Sequence, residues 1–440
     1  MNLLDLVYAA VALVTAPAWS RKTRSGWRQR FGHVADMLNT PPAGPPDMPP
    51  RPPRPPRPRI LLHTVSVGET SAIRTLVGLL SPHAQVIVSA STDTGLARAQ
   101  ALYSHDCEVV RYPLDASWAV RRFLDAVRPD VVALVELEVW PNFIAACRRR
   151  RIPVCVINGR LSARSFRGYR RIRPLLRSTF AALDAALVQD EDYRARFIAM
   201  GAAEETCVVT GSMKWDAVDL SRAAAGPGDK ARTIAREMGL DPARPLIVAG
   251  STAEGEEALL HAACPPGVQL LCAPRKPERF DEAAAALPAC TRRSTGHPAP
   301  PPAAPAASGS TRFLLDTIGE LSAAYELADV VVIGRTFAPL HGSDPTEPIA
   351  LGKPAIAGPS MDNFASIAAT LEAAGALVRA TETSLAGELE ALLCGPEASA
   401  RRADLADRGL ACVARHQGAS RRNCDRLLEI ARQAVSAAGG

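Results

Sequence analysis

Several charged side chains come soon after short apolar runs that are typical of buried strands. Glu69, Glu136 and Arg275 each have this position, and Lys214 lies four residues after another such run. A carboxylate that is partly removed from water at a strand end can accept a proton as a general base. A lysine or arginine there can neutralise a phosphate or a sugar-acid carboxylate as negative charge develops on it. The pattern is therefore one that could bind an anionic substrate and take a proton from an acceptor hydroxyl.

Each of these side chains also has a purely structural interpretation. Glu69 can be a first-turn carboxylate that its helix dipole stabilises, and Lys214 and Arg275 can be solvated surface cations. Glu136 and Glu138 alternate along a strand end, so only one of them can face a site. The residue pattern leaves both interpretations open.

The stretch 328–363 predicts a strand, a glycine loop, a short helix and a second strand. Asp344 can cap the helix, Pro345 suits its first position, and Glu347 can reach back to the cap. Free backbone N–H groups at such a loop favour an anion such as a nucleotide phosphate. Glu347 can then accept hydrogen bonds from sugar hydroxyls, or it can serve the cap alone.

The elements that must position these residues alternate between strand and helix. This alternation predicts two α/β domains, each with a doubly wound parallel sheet. In such a sheet the carboxyl ends of the strands form the ligand-binding edge, so the two halves are expected to face a cleft. The predicted strands are 60–67, 85–90, 107–112, 131–136, 153–157, 185–189 and 207–210 in the first half and 246–249, 269–273, 312–315, 330–333 and 354–358 in the second.

The chain length of 440 residues agrees with two domains. We expect an N-terminal domain at 60–220, a hinge at 220–228 and a C-terminal domain at 229–425. A Pro/Ala-rich insert at 296–309 predicts a surface loop within the second domain.

The first 59 residues have a different composition. Residues 3–19 are apolar except for Asp5, and a basic run follows them. This order predicts an anchor and basic flank at 1–32 that hold the protein at the cytoplasmic face of the inner membrane; the alternative is a core helix of the first domain. Residues 33–59 are read as a proline-rich linker with an extended polyproline segment.

Composition and missing motifs exclude several classes. A net charge of +6 suits an anionic substrate or membrane surface, whereas 5% aromatic residues argue against nucleic-acid binding. The ten cysteines are scattered without zinc-site spacing, so we expect no metal and no disulfide framework. No dinucleotide fingerprint, Walker loop or G-x-S-x-G elbow is present, which disfavours dehydrogenases, P-loop NTPases and α/β-hydrolases.

A series of motifs resembles the 3-deoxy-D-manno-octulosonic acid (Kdo) transferases of lipid A biosynthesis, from near the N-terminus to near the C-terminus. The motifs are Trp27–Gly32, His63–Glu69, Glu136–Asn142, Asn158–Ser162, Gly211–Lys214, Gly250–Glu257, Pro274–Phe280, Asp316–Leu321 and Phe337–Asn363.

The resemblance implies an α/β fold of the GT-B glycosyltransferase type and an inverting transfer of Kdo from CMP-Kdo to a lipid A precursor without a metal. It implies that Glu69 is the general base and that Glu136 and Lys214 steady the transition state. It also implies a CMP pocket lined by Pro274, Arg275, Ile318, Gly319, Glu320, Asp344, Pro345, Thr346 and Glu347.

The sequence departs from the family pattern in one loop. The family usually has Gly-Gly-His-Asn before its Glu-Pro pair, whereas this chain has His341, Gly342, Ser343 and Asp344 in that region. The altered loop, with an anionic Asp344 near a nucleotide, keeps open the alternative of a transferase that uses another nucleotide sugar. A separate alternative is a two-domain binding protein that has kept the pocket and lost turnover.

Overall fold

The computed structural model describes residues 5, 8, 25–38, 57–295 and 311–439. These residues form two compact units. The first unit contains the chain up to Ala217 and again from Gln417 on, and the second contains Val218–His416. The predicted hinge at 220–228 therefore lies inside the second unit, where Arg222 makes an ion pair with Glu326.

The first unit is built on a parallel sheet whose strand order is β3-β2-β1-β4-β5-β6-β7. Its inner strands are rich in Val, Ile, Leu and Ala, and β4 is buried along its whole length, as expected for a sheet covered on both faces. The strands are β1 (Arg59–Thr64), β2 (Gln85–Ala90), β3 (Glu108–Arg111), β4 (Val131–Val135), β5 (Val154–Gly159), β6 (Ala185–Val188) and β7 (Cys207–Val209).

Helices connect these strands and cover both faces of the sheet, with one apolar core on each face. They are α1 (Trp27–Arg30), α2 (Ala35–Leu38), α3 (Val67–Ala72), α4 (Arg74–Leu80), α5 (Asp93–Tyr103), α6 (Ser117–Val127), α7 (Pro141–Arg149), α8 (Ala163–Arg171), α9 (Arg173–Phe180) and α10 (Glu191–Met200).

The second unit repeats the plan with the strand order β10-β11-β9-β8-β12-β13-β14, again parallel. Its strands are β8 (Leu246–Thr252), β9 (Gln269–Pro274), β10 (Thr291–Arg292), β11 (Arg312–Leu314), β12 (Val330–Ile333), β13 (Ala355–Ala357) and β14 (Leu377–Arg379). Its helices are α11 (Asp229–Met238), α12 (Glu256–Ala263), α13 (Phe280–Ala285), α14 (Leu321–Leu327), α15 (Thr346–Ala350), α16 (Ala365–Ala373), α17 (Leu385–Leu393) and α18 (Ala398–His416).

The last described helix, α19 (Ala419–Gly439), belongs to the first unit. Leu427, Ile430 and Ala431 on this helix are buried in the core cluster that also contains residues of β1, β2 and β4. The predicted C-terminal domain, 229–425, thus includes residues from 417 on that pack in the first unit, because an apolar helix face covers the sheet there.

Only Asp5 and Tyr8 are described among the first 24 residues, and both contact the first unit. The buried Asp5 carboxylate accepts hydrogen bonds from the backbone N–H and the hydroxyl of Ser117, at 2.8 and 2.6 Å. The Tyr8 hydroxyl donates to Asp115 at 3.0 Å.

Of the predicted anchor and flank, residues 25–32 are described, and Arg30 of α1 is buried and pairs with Asp93 at 3.2 Å. Residues 33–38 of the predicted linker fold onto the first unit instead, because Val34 is buried in its core and Ala35–Leu38 is helical. The other anchor residues, residues 39–56 and the insert at 296–309 lie outside the described residues. Among the residues that are described, no helix is long and apolar enough to cross a bilayer.

Candidate functional site

Glu69 lies in the first turn of α3, at the carboxyl end of β1. Ser66 is the N-cap, and its hydroxyl oxygen accepts a hydrogen bond from the Glu69 N–H at 3.3 Å. The Glu69 carboxylate accepts hydrogen bonds from the Ser66 hydroxyl and from the Val65 N–H, both at 2.8 Å. The side chain therefore completes a capping box in the first turn, a local role that adds to the helix-dipole interpretation made from the sequence.

The same carboxylate also belongs to a group of three acids. Burial raises the pKa of Glu69, the two local hydrogen bonds oppose this, and Glu136 raises it further, so the pKa lies above its ordinary value. Burial raises the pKa of Glu138 to about 7, and Glu69 and Glu136 contribute to the shift. The indole N–H of Trp140 donates to Glu138 at 2.7 Å. The ends of β1 and β4 thus place three half-buried carboxylates within electrostatic reach of one another.

The backbone is strained where these side chains are placed. Glu136 has φ of 61° directly after β4, and Asn158 has φ of 50° near the end of β5. Non-glycine residues rarely adopt this left-handed conformation, and the cost of about 1–3 kcal/mol is typical of functional sites. The Arg160 guanidinium, which hydrogen-bonds Tyr193, is close enough to Glu136 for that carboxylate to raise the pKa of Arg160 after burial has lowered it.

Lys214 lies on a short 3-10 helix, Met213–Ala217, that follows β7. The buried Asn158 side chain accepts a hydrogen bond from the Met213 N–H at 3.0 Å. Asn158 thereby fixes the start of the segment that carries Lys214 to the end of β5. The first unit brings Glu69, Glu136 and the Lys214 segment to the carboxyl edge of its sheet.

In the second unit, Arg275 follows β9, whose last residue is the buried Pro274. Its N–H donates to the Thr252 carbonyl at 3.0 Å, which fixes the backbone beside β8. Its side chain is exposed, and no carboxylate of the described residues lies within ion-pair distance of it. It is therefore a cation available to an anionic ligand.

The loop after β11 is held by ion pairs rather than left open. The hydroxyl of Thr317 and the guanidinium of Arg293 both hydrogen-bond the Glu320 carboxylate. Burial raises the pKa of Glu320, but Thr317 and Arg293 lower it more, so it lies below its ordinary value. Gly319 has φ of 81°, and the Ile318 side chain is 72% exposed. Glu320 thus fixes a loop that presents Ile318 and Gly319 to solvent.

The glycine loop after β12 ends at α15, which begins at Thr346, one residue later than predicted. The Asp344 carboxylate accepts hydrogen bonds from the N–H and the hydroxyl of Thr346, at 2.9 and 2.6 Å. Pro345 lies between them and is buried. No hydrogen bond to the half-buried Glu347 carboxylate comes from the described residues, so Glu347 does not serve the predicted capping box.

Tyr325 on α14 shows that three of the predicted residues share one neighbourhood. Burial raises the pKa of Tyr325, Glu347 and Asp344 raise it further, and Arg275 lowers it. The hydroxyl packs against Gly250 at the end of β8, where a Cβ atom would lie 1.9 Å from it. Arg275, Asp344 and Glu347 therefore all lie within electrostatic reach of one buried hydroxyl at the carboxyl edge of the second sheet.

Glu256 has a role that the residue pattern did not reveal. Its buried carboxylate accepts four backbone hydrogen bonds, from Ala253 at 2.8 Å, Arg335 at 2.7 Å, Thr336 at 2.9 Å and Phe337 at 3.0 Å. These N–H groups lie on the loops after β8 and after β12. Glu256 thus fixes the two loops to each other, and the only sequence signal for it was its place in the motif Gly250–Glu257.

Metal binding has no site in the described part of the chain, where no group of three or more His, Cys, Asp or Glu side chains is arranged to hold an ion.

Comparison with known proteins identifies the family. A family described as 3-deoxy-D-manno-octulosonic-acid transferase (kdotransferase) matches residues 25–217. A 3-deoxy-D-manno-octulosonic acid transferase of Bordetella pertussis is 36% identical over 438 residues, which cover 93% of this chain and 94% of that protein. This chain belongs to the Kdo transferase family. A Kdo transferase of Haemophilus influenzae is 31% identical and covers 96% of this chain and 95% of its own. The predicted family and its class, a glycosyltransferase that transfers Kdo, are confirmed.

Solved structures support the fold of this Kdo transferase. A glycosyltransferase of Rickettsia africae has a TM-score of 0.57 at 12% identity and covers 86% of this chain and 99% of its own. A UDP-GlcNAc 2-epimerase of Neisseria meningitidis has a TM-score of 0.55 at 13% identity and covers 84% of this chain and all of its own. With the two parallel sheets, these likenesses confirm the predicted GT-B fold.

Proposed function

We propose that this Kdo transferase uses CMP-Kdo as its donor and a lipid A precursor of the lipid IVA type as its acceptor, with inversion at the anomeric carbon. The observation that carries the proposal is near full-length identity with Kdo transferases, combined with a general-base candidate at the end of β1. A carboxylate with a raised pKa accepts a proton more readily than an ordinary one.

In the proposed reaction an acceptor hydroxyl oxygen attacks C2 of Kdo and the C2–O bond to the CMP phosphate breaks. The hydroxyl proton goes to Glu69, and CMP leaves with the bonding electron pair. The Lys214 ammonium group and the nearby Glu136 stabilise the charges that develop on the sugar acid.

Nucleotide binding is assigned to the second unit. Arg275 lacks a carboxylate partner there and can pair with the phosphate. Pro274, Ile318, Gly319, Pro345 and Thr346 would line the pocket, with Asp344 and Glu347 directed at the sugar hydroxyls and Glu320 supporting its loop. No metal is assigned to the reaction, so transfer should persist in EDTA.

Location at the cytoplasmic face of the inner membrane follows from the lipid acceptor and from the apolar, then basic, sequence of residues 3–30. An anchored enzyme meets a membrane-embedded acceptor without a search through solution. The anchor is proposed to be the segment 1–32.

The proposal is tested by replacing Glu69. Purified protein is incubated with CMP-Kdo and a tetraacylated disaccharide acceptor, and product mass and CMP release are recorded. Glu69→Gln and Glu69→Ala should each lower kcat by about 10²–10⁴ and leave CMP affinity, measured by calorimetry, unchanged.

Ser66→Ala is the matched control, because it breaks the same capping box and keeps the carboxylate. Its rate should stay within tenfold of the parent rate. Transfer by Glu69→Gln at the parent rate would remove Glu69 from the catalytic role. CMP binding without turnover in the parent protein would favour the non-catalytic alternative, and no response to CMP would favour another nucleotide sugar.

A further inference from the structure

The helices α8 and α9 form an arginine-rich pair, residues 163–180, on the first unit. This pair contains no acidic residue and six arginines, so its charge of +6 equals the formal net charge of the whole chain. The arginines are Arg164, Arg167, Arg170, Arg171, Arg173 and Arg177. One short surface segment therefore carries as much positive charge as the formal net charge of the whole protein.

None of these six arginines has a carboxylate within ion-pair distance among the described residues. On the neighbouring α10 the pattern is different, since Arg194 pairs with Glu204 and Arg196 pairs with Asp192. Six like charges on two consecutive helices repel one another in the absence of an anion. The surface is therefore complementary to a layer of negative charge.

The arginine-rich pair has apolar side chains on its exposed side as well as on its buried side. Phe166, Tyr169 and Leu176 pack against the core beneath β4 and β5. On the exposed side Leu175 is 78% accessible and Ile172 is 47% accessible. Arg171, Arg173 and Arg177 lie within two residues of one or the other in the sequence. Large apolar side chains beside basic residues are typical of surfaces that lie in the headgroup region of a bilayer.

The pair also adjoins the acidic end of β4. Tyr169 is near enough to Glu138 for that carboxylate to raise the pKa of the phenol, in addition to the effect of burial. Tyr169 also packs against the same core cluster as Leu137 and Val139, the two neighbours of Glu138 in the chain, so α8 lies close to this carboxylate.

We propose that the arginine-rich pair docks on a bilayer that carries anionic headgroups, with the arginines on the lipid phosphates and Leu175 and Ile172 inserted among the headgroups. This contact is separate from the anchor predicted at 1–32 and deepens the proposed function, because it rests on an acceptor that lies in the membrane.

The test is sedimentation of the full-length protein with vesicles of neutral phosphatidylcholine or of the same lipid with 30% phosphatidylglycerol. The readout is the ratio of partition coefficients for the two vesicle types, in which any insertion that is independent of lipid charge cancels. Each arginine at an anionic surface contributes roughly fivefold to binding, so Arg167→Gln/Arg171→Gln should lower the ratio by roughly 30-fold. Leu175→Ser should weaken binding to both vesicle types.

Arg148→Gln/Arg149→Gln is the control for charge, because both residues are exposed at the opposite, amino-terminal end of the sheet strands. It should change the ratio less than twofold. Equal ratios for the two double variants would overturn the proposal.

Transfer to the acceptor in neutral detergent micelles separates this inference from the function on which it rests. The Arg167→Gln/Arg171→Gln variant should keep the parent rate in micelles and lose rate on anionic vesicles. If the arginine variant loses binding to anionic vesicles but no form of the protein, including the parent, transfers Kdo, the proposed donor and acceptor are rejected and the docking surface is retained.

Discussion

Replacement of Glu256 by Gln should destabilise the second unit selectively. The carboxylate is 3% exposed and accepts four backbone hydrogen bonds at 2.7–3.0 Å, two on each oxygen. A Gln side chain keeps one oxygen and turns an NH2 group toward the other two N–H donors. Two hydrogen bonds to a charged group are then lost at about 1.5–3 kcal/mol each, or about 3–6 kcal/mol in total. This is a large part of the roughly 5–15 kcal/mol that stabilises a typical domain.

Urea unfolding measures this loss in each unit separately. All five tryptophans have residue numbers below 218, so their fluorescence reports the first unit, whereas far-UV circular dichroism reports both. With m of about 2–3 kcal/mol/M, Glu256→Gln should shift the dichroism midpoint of the second unit down by about 1–3 M. The fluorescence midpoint should not move.

Glu254→Gln controls for the loss of a charge in the same segment, because Glu254 is exposed. A difference below about 1 kcal/mol between Glu256→Gln and Glu254→Gln, against an expected 3–6, would refute the reasoning. A shift in the fluorescence midpoint would show that the effect is not confined to the second unit.

Three further outcomes are expected. Burial raises the pKa of Glu138 to about 7, so its contribution to stability is present below about pH 4.5 and is lost as the pH rises through 7. In urea unfolding, the stability of Glu138→Gln relative to the parent protein should therefore increase by about 1–2 kcal/mol between pH 5 and 8. A difference in unfolding free energy that does not change with pH would contradict this. Asp344→Asn keeps the hydrogen bonds from Thr346 and removes an exposed negative charge. If that charge lies about 7 Å from the CMP phosphate in water, its removal should tighten CMP binding roughly threefold, which calorimetry can measure. Unchanged affinity would place Asp344 away from the phosphate. Gly250→Ala should lower the free energy of unfolding by about 1–3 kcal/mol, because its Cβ would overlap the Tyr325 ring. In the Tyr325→Ala background the same substitution should cost less. If the effects of the two substitutions on stability are strictly additive, the clash is excluded.

The sequence allowed the alternation of the two sheets to be predicted because apolar β-branched runs and glycine breaks mark strand ends locally. The predicted strands 85–90 and 330–333 have the observed bounds of β2 and β12. The short edge strand β10, only two residues long, has no such signal and was not predicted. Tertiary contacts rather than local pattern define it.

The candidate site was predictable where a residue follows a strand end, as Glu69, Glu136 and Arg275 do. Glu256 and Asn158 were not assigned roles, because their function is to hold backbone from other segments and no periodicity marks such contacts. Glu347 was predicted to complete a cap, but its carboxylate makes no such hydrogen bond within the described residues, since Asp344 alone satisfies Thr346.

The return of α19 to the first unit has a consequence for biosynthesis. When the ribosome has completed the strands of the first sheet, the apolar surface that Leu427, Ile430 and Ala431 will cover is still bare, and it stays bare while about 200 further residues are made. The second unit can close its own core during that time, because its described strands and the helices between them are contiguous in the chain. Maturation of the nascent enzyme therefore finishes at the domain that emerged first, and until then that domain is a natural client for chaperones that bind exposed apolar surface.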